Sequence, residues 1–515
     1  TKLDGIESNA TADQTASEIV SLLSDQNIST TGTITSNDIT ISDQQPRINF
    51  TDTNGNPDYL IQVDGGHFLI HDATNGADKI KIQSDGHIDI TPNTDFAAGI
   101  DVTGAITGTT DATINGLTVG KGANSVSSNT AFGVDALLSN TSGNQNVAVG
   151  YVALDANTTG NYNVGIGSGA LSSNTGGSSN IGVGKNACNS NISGSNITGV
   201  GYRALQKNTT ASNNTALGAD SLRLNTTGTR NTTVGASSLD ANTTGSYNSS
   251  LGFASLGSNT TGAENVAMGD AALLSNTSGS NNSGFGKDAL RSNTTASNNT
   301  AIGHDALLSN TTGIQNTALG SLALDANTTG TNNDAFGFAA LSENTTGSGN
   351  TAIGRSAANE NTTGSFNTSL GFLALNRNTT ASYNTAVGND ALRYNRTGTF
   401  NVAIGARSLD ANTTADNNTA VGYQSLGANT TGSQNVAVGF ESLKLNTTSF
   451  NNTAVGYLSL TAQTTGTANT AVGAFSLDAN TTGDDNTAIG TVALSVNTTG
   501  SNNTALGRGA LFSNT

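Results

Sequence analysis

The 515-residue chain carries a net charge of −17, one cysteine and no tryptophan, and only 11% of its residues are charged. Gly, Asn, Thr and Ser dominate, a bias that in an aperiodic chain points to disorder, because too little apolar surface exists to offset the lost conformational entropy. Without a basic patch, counterion release from a phosphate backbone has nothing to work with, so nucleic acid is excluded as the expected partner. The single Cys188 excludes an intrachain disulfide, and no run reaches the roughly 20 apolar residues of a membrane span.

The charge is uneven. Residues 1–128 hold 17 acidic and 5 basic side chains, −12 of the total, which leaves −5 for the other 387 residues. The only methionine is Met268, so the sequence reads as a piece of a longer chain. Residues 1–45 read as a connector: a short helix over 12–25, with Ala16, Ile19, Leu22 and Leu23 on one side, then a fibrous Ser/Thr-rich β segment. Residues 46–92 read as a small β-meander. RINF, YLIQV, HFLIH, KIKIQ and HIDI are strand-like, and NGNP, DGG, TNGA and SDG supply the turns. Residues 93–128 read as a β linker into the long C-terminal region.

Two metal readings arise here. His67, His71 and His87 are clustered, but the closely spaced ligand pair of a metal site is missing, so ordinary strand residues are expected. Asp64-Gly65 and Asp85-Gly86 suggest calcium less well than they suggest turns, and the GGxGxD calcium repeat is absent. No metal and no cofactor is expected.

Residues 129–515 are a tandem repeat. From Gly133, steps of 17 residues reach Gly150, Gly167 and so on to Gly507, and all 23 positions are Gly. The residue before each is apolar. Leu stands four later in 21 cases (as Leu426), Asn seven later in 22 (as Asn429) and Asn four before in 22 (as Asn418). The exceptions are Cys188 and Ala358 for Leu, Gln463 for the first Asn and Ile197 for the second. The unit is N-T-A-Φ-G-x-x-A-L-x-x-N-T-T-G-x-x, with Φ aliphatic or Phe. A fixed short period makes each unit take one shape and stack on its neighbour. Seventeen residues are too few for a helix pair and suit one turn of a coil. The expected fold is therefore all-β, a parallel β-solenoid or β-roll of 17-residue rungs. At about 4.8 Å per rung it would be a rod roughly 110 Å long.

Stacking assigns each fixed residue a role. The aliphatic and Leu residues are expected to pile into two apolar columns. The Asn residues are expected to form amide ladders, since an unpaired buried amide costs about 1–3 kcal/mol. The Gly at 133, 150 and 422 marks a corner needing positive φ or the absence of Cβ. In the strand NTAVG, Val421 points to one face and Ala420 and Gly422 to the other. One face fills the rung; the other forms an apolar stripe larger than a monomer normally exposes, which implies cover by another copy. The NTTG half is expected to face water. Asp135, Asp220, Asp305 and Asp390, and likewise Asp155, Asp240, Asp325 and Asp410, recur every 85 residues, as duplication of a five-rung block would leave them.

The units N-T-A-V-G at Asn418–Gly422 and N-V-A-V-G at Asn435–Gly439 resemble head repeats of YadA-type trimeric adhesins. That resemblance implies a left-handed parallel β-roll assembled as a homotrimer. The 17-residue unit with NTTG is also similar to repeats in tail-fibre proteins of marine phages, cyanophages among them. Thr1–Ile19, Pro46–Asp72 and Ile114–Gly133 look like segments of such fibres too. The resemblance implies a virion tail fibre that spaces or presents host-receptor-binding surfaces, with other virion tail proteins and a host-surface glycan or protein as partners. The alternative is a bacterial surface adhesin or extracellular filament. An ice-binding solenoid is a third reading, weakened because adjacent residues such as Thr430 and Thr431 face opposite ways and leave one outward Thr row.

Catalysis is not expected. The carboxylates Glu264, Asp270, Glu343, Glu360, Asp484 and Asp485 are scattered rather than paired as glycoside hydrolysis requires, and His304 is the only histidine of the repeat region. The residues with most to offer are aromatic. Tyr151, Tyr202, Phe253, Phe338, Phe372, Tyr423, Phe440 and Tyr457 directly follow the invariant Gly, and Tyr162, Tyr247, Phe366, Tyr383 and Phe400 lie five before it. They are candidates for stacking on host sugars, weighed against padding of corners or protomer contacts.

Overall fold

The computed structural model describes residues 41–51, 58–86, 88–90, 111–114 and 117–514. The expected helix over 12–25, most of the fibrous segment after it, and His87 lie outside the described residues. The chain divides into two units between Thr107 and Gly108.

In the first unit, β1(Arg47–Phe50), β2(Tyr59–Asp64), β3(His67–Asp72), β4(Ala77–Ile82) and β5(Ile88–Ile90) form an antiparallel meander in chain order. Gly65 and Gly66 make the two-residue turn between β2 and β3, with φ of 58° and 86°, values that a hairpin of this length demands. Asp72 closes the next turn. Its carboxylate accepts the backbone N–H groups of Thr74 and Asn75 and the Asn75 side-chain amide, at 2.8 to 3.1 Å. These bonds, the Asn75 side chain first, hold the Asp72 carboxyl below its ordinary range. Leu60, Leu69 and Asp72 are the buried side chains of this sheet among the described residues, whereas Phe50, Val63, Phe68 and Ile88 are exposed. The sheet thus gains little hydrophobic stabilisation from its own residues.

The second unit is a parallel β-solenoid. A hairpin of β6(Ala112–Ile114) and β7(Leu117–Gly120) leads through a short 3-10 turn, Ala123–Ser125, into β8(Thr130–Gly133). From β8 to β30(Thr504–Leu506), one strand per rung pairs in parallel with the next. Register follows the period: Thr130 pairs with Val147, Ala131 with Ala148, Phe132 with Val149. Seventeen residues therefore close one turn. Outside the strands the ladder continues with alternating direction: the Val152 N–H donates to Val134 of the preceding rung at 2.9 Å, and the Leu154 N–H to Ala170 of the following rung at 3.0 Å.

The start of the solenoid is capped. β7 runs antiparallel to β8 and covers its free edge. The Ala123 N–H donates to the Leu137 carbonyl at 3.1 Å, and the Asn124 side chain to the Asn140 carbonyl at 2.7 Å. Asp111 secures this cap by accepting the Lys121 and Gly122 N–H groups, both at 2.6 Å. Repeat proteins need such a terminal element, because the first rung has no predecessor to satisfy it.

Inside the coil, the Leu residues form one continuous buried column, from Leu137 to Leu494, with Cys188 and Ala358 standing in where Leu is missing. The strand centres point inward beside it, and they are small: Ala131, Ala148, Ala420 and their equivalents. The reason is space. At Gly165 an added Cβ would already lie 3.1 Å from Leu154 Cγ, so the interior admits Gly, Ala, Ser or Thr there and nothing larger. This corrects the expectation of two interior apolar columns. The aliphatic residue before each Gly points outward; Ile302 and Leu319, for example, are 40% and 43% exposed.

A second correction concerns the backbone. Positive φ is not confined to Gly. The column Leu residues themselves are left-handed, Leu426 at φ 50° and Leu154 at 51°, as are residues two after each invariant Gly and, from Gly150 on, five before it. Even β-branched Val152 and Val492 adopt this conformation. Each costs about 1–2 kcal/mol, and burial of a Leu returns about 1.5–3 kcal/mol. The left-handed turn is tenable only where a neighbouring rung buries the Leu and pairs its N–H, so a lone rung has no stable state.

Two exceptions to the repeat fall in one turn. Cys188, small, replaces Leu, and Ile197, large and apolar, replaces Asn; both are fully buried in the same core cluster. The gain in volume at one site matches the loss at the other in direction. Cys188→Leu alone is therefore expected to overpack and cost about 1–3 kcal/mol. The double variant with Ile197→Asn, which restores the consensus, is expected to recover most of that loss. A double-mutant cycle by thermal melting checks this, and strict additivity would refute the compensation.

Candidate functional site

The ladder residues are assembled first. Asn429 and its equivalents form one amide ladder: Asn157 Nδ2 donates to Asn140 Oδ1 at 3.0 Å and to the Gly160 carbonyl of its own rung at 3.1 Å. Asn418 and its equivalents form a second of different construction. The Asn418 backbone N–H donates to Asn401 Oδ1 at 3.0 Å, while its side-chain amide donates to the Gly432 carbonyl at 2.9 Å. Both columns are buried up to the last rung, where Asn503 and Asn514 are partly exposed. The part of the NTTG half that faces water is thus narrower than expected, because its Asn belongs to the core. The first Thr of NTT is also engaged: Thr430 Oγ1 donates to the Thr447 carbonyl at 3.0 Å. Thr431 and its equivalents are the exposed row.

The invariant glycines sit at φ values of 116° to 153°. A Cβ on Gly133 would lie 2.3 Å from the Gly150 carbonyl oxygen, and one on Gly422 2.3 Å from that of Gly439. Both causes named from the sequence, conformation and clash, act at the same residue.

The eight aromatic candidates that directly follow the invariant Gly occupy one exposed column. Tyr151 and Phe253 stand alone in it, with non-aromatic neighbours in the adjoining rungs. Tyr202 lies under the Arg203 guanidinium, 4.6 Å from the ring centre. Phe338 and Phe372 flank Arg355, whose guanidinium is 5.8 and 6.0 Å from the two rings. Tyr423, Phe440 and Tyr457, on consecutive rungs, are brought together as a stack with centroid spacings of 5.4 Å. Phe475 ends that stack edge-on at 5.3 Å; it lies one position off the column, which is why the spacing in the sequence did not single it out. A second stack, Phe366–Tyr383–Phe400, has spacings of 5.3 and 5.1 Å. Family models, curated proteins and solved structures offer no match to this chain.

A notch of about 160 Å³ is lined by Asp410, Gln424, Gly427, Ala428, Lys444 and Leu445. None of these residues stood out in the sequence as a site. The available signal was Gly427, which with Gly257 is one of two glycines in a column that otherwise carries a side chain. Burial pushes the Asp410 carboxyl up from 3.8 to about 6, with Arg407 opposing and Asp390 adding. Folded Asp410 therefore holds its proton more tightly than the unfolded chain does. It penalises the fold above about pH 6, and the penalty fades as pH falls toward 4. Burial also raises Asp155 and Asp325. The melting temperature is expected to climb on acidification from about pH 7 to 5, less steeply in Asp410→Asn. Identical slopes in the two proteins would refute the assignment.

His71 Nδ1 lies 2.7 Å from Asp78 Oδ1, and no group of three metal-ligating side chains occurs among the described residues. Burial pushes the Cys188 thiol up to about 12. Among the described residues no helix is long and apolar enough to cross a membrane.

Proposed function

We propose that the chain is a segment of a homotrimeric phage tail fibre, a rod that spaces and presents surfaces for host recognition. One observation carries the reading: the apolar residue before each invariant Gly, aliphatic or Phe, points outward along the whole solenoid, a stripe longer than monomeric proteins leave bare. A second copy of the same rod, with the same rise per rung, is the partner whose pattern fits without adjustment. The first unit supports the same reading, since its sheet also leaves apolar residues exposed. The resemblance of N-T-A-V-G and NTTG units to trimeric head repeats and marine phage fibres supplies the trimer and the setting. In such a fibre the work is mechanical reach combined with several weak contacts at once.

Sedimentation equilibrium tests the assembly: three times the chain mass of 51.5 kDa is expected, and a monomer at micromolar concentration would sink it. Antibody labelling of purified phage particles under the electron microscope tests the setting. Label along the tail supports the fibre; label confined to a bacterial envelope supports the adhesin instead.

A further inference from the structure

The register of the first unit sorts its side chains onto two unequal faces. Ile48, Ile61, Ile70, Ile80 and Ile90 pair in turn across the five strands. Val63, Phe68, Ile82 and Ile88 form a second such row, and Phe50 opposite Tyr59 a third. Facing residues share a side of the sheet, and neighbours along a strand alternate, so all three rows lie on one face. Arg47, Gln62, Lys81 and Asp89 alternate onto the other, together with the two buried leucines, Leu60 and Leu69. No residue of the apolar face is buried in the single chain, and seven of them are 39% to 59% exposed. At roughly 200 Å² for each large side chain, those seven leave about 600 Å² bare. That matches the largest patch of a typical monomer, about 300–600 Å², and approaches the about 800 Å² that each partner buries in a stable interface. A sheet gains its stability by packing its apolar face against a second layer, and none covers this face among the described residues.

We propose that three copies turn this face to a common axis, and that the core they form there sets the copies of the solenoid in register. The proposal deepens, and rests on, the reading of the chain as a homotrimeric rod. The occupant is the same face of another copy. Its three rows carry no charged side chain, so a like surface meets it without leaving a charge unpaired. Closed three-fold symmetry offers three identical faces one shared shelter, the axis. The need for a clamp lies in the solenoid. Its outward stripe recurs at every rung, as Ile302 and Leu319 do. Copies displaced by one rung, about 4.8 Å, would meet nearly the same contacts, so the repeat specifies their alignment weakly. The first unit has no such period, and a shift by one strand would strip its rows of their partners. β5 ends at Ile90 and β6 begins at Ala112 in every copy, so copies clamped at one height send their chains into the solenoid at one height.

Thiol labelling of the full chain tests the cover. Cys188 is fully buried, so a single introduced cysteine reports alone. Val63, in the apolar face, is 41% exposed in the single chain, and Asn49 is exposed on the other face. Val63→Cys is expected to react with a polymer-linked maleimide at least about tenfold more slowly than Asn49→Cys, and to match it once the chain is denatured. Phe50→Asp combined with Ile88→Asp tests the register. Both side chains are more than half exposed in the single chain, so the sheet's own packing does not depend on them. Sedimentation of this double variant is expected to change from one mass to a spread of masses, because slipped copies leave stripe bare at their ends. Equal labelling rates in a trimeric protein overturn the proposal, and so does a single trimeric mass in the double variant. Both of those outcomes leave the fibre reading intact, because the mass of the parent tests that separately. Protection of Val63→Cys in a protein that sediments as a monomer overturns both readings, since a segment of the same chain would then be the cover.

Discussion

Gly303→Ala is expected to break the rod in the middle. At this residue φ is +137°, and a Cβ would sit 2.6 Å from both the carbonyl carbon and oxygen of Gly320 in the next rung. The neighbour cannot yield, since it is backbone held by its own ladder: the Gly303 N–H donates to Phe285 and the Gly320 N–H to Ile302, each at 2.8 Å. Backbone strain and overpacking each cost about 1–3 kcal/mol, so the rung loses about 2–6 kcal/mol. A solenoid is stabilised by nearest-neighbour contacts, so the loss stays local. Limited proteolysis is expected to cut the variant near residue 303 into two resistant halves, where the parent gives one band. Gly507→Ala is the control. It has no atom within 4 Å of the new Cβ and bears the strain alone. Equal susceptibility of the two variants would mean that the contact between rungs does not explain the invariant Gly.

Asn310→Ala is the second large effect. Asn310 is fully buried. Its Nδ2 donates to Asn293 Oδ1 and to the Gly313 carbonyl, both at 2.9 Å, and its Oδ1 accepts from Asn327 Nδ2 at 2.8 Å. Truncation leaves Asn293 Oδ1 and Asn327 Nδ2 underserved in a site closed to water, while the Gly313 carbonyl keeps the Asn299 amide at 2.9 Å. At about 1–3 kcal/mol for each group left unmet, the expected loss is about 2–6 kcal/mol. Asn310→Gln is expected to be far milder. Gln463 already stands in this column, donating to the Gly466 carbonyl and accepting from Asn480. Hydrogen exchange across residues 293–327 reads the difference: fast exchange in the Ala variant and near-parent protection in the Gln variant. Protection that survives in Asn310→Ala would show the ladder to be incidental to stability.

The columns were legible because stacking makes identity a structural demand. Asn429 recurs since its amide must meet the amide of the rung before, and Gly422 recurs since backbone crosses where its Cβ would be. Leu426 was legible as core but not as a left-handed residue. Leu is a poor choice for positive φ in isolation, and only the neighbouring rung, by burying it and pairing its N–H, makes that conformation stable. The aromatic columns were readable one residue at a time, whereas the stack of Tyr423, Phe440 and Tyr457 depends on rung spacing. The notch was not readable, because it is a missing side chain at Gly427 between two charged residues that are 34 positions apart.

By itself the sequence determined the period, the register and the identity of the stacked residues, because a 17-residue unit repeated without insertion can close only one way on a like neighbour. The tertiary structure decided which strand face turns inward. Alternation marks two faces without ranking them, and the Leu column leaves room at the strand centre for no more than a small side chain. For that reason Ala420 is inside, Val421 is outside, and the apolar stripe lies on the surface.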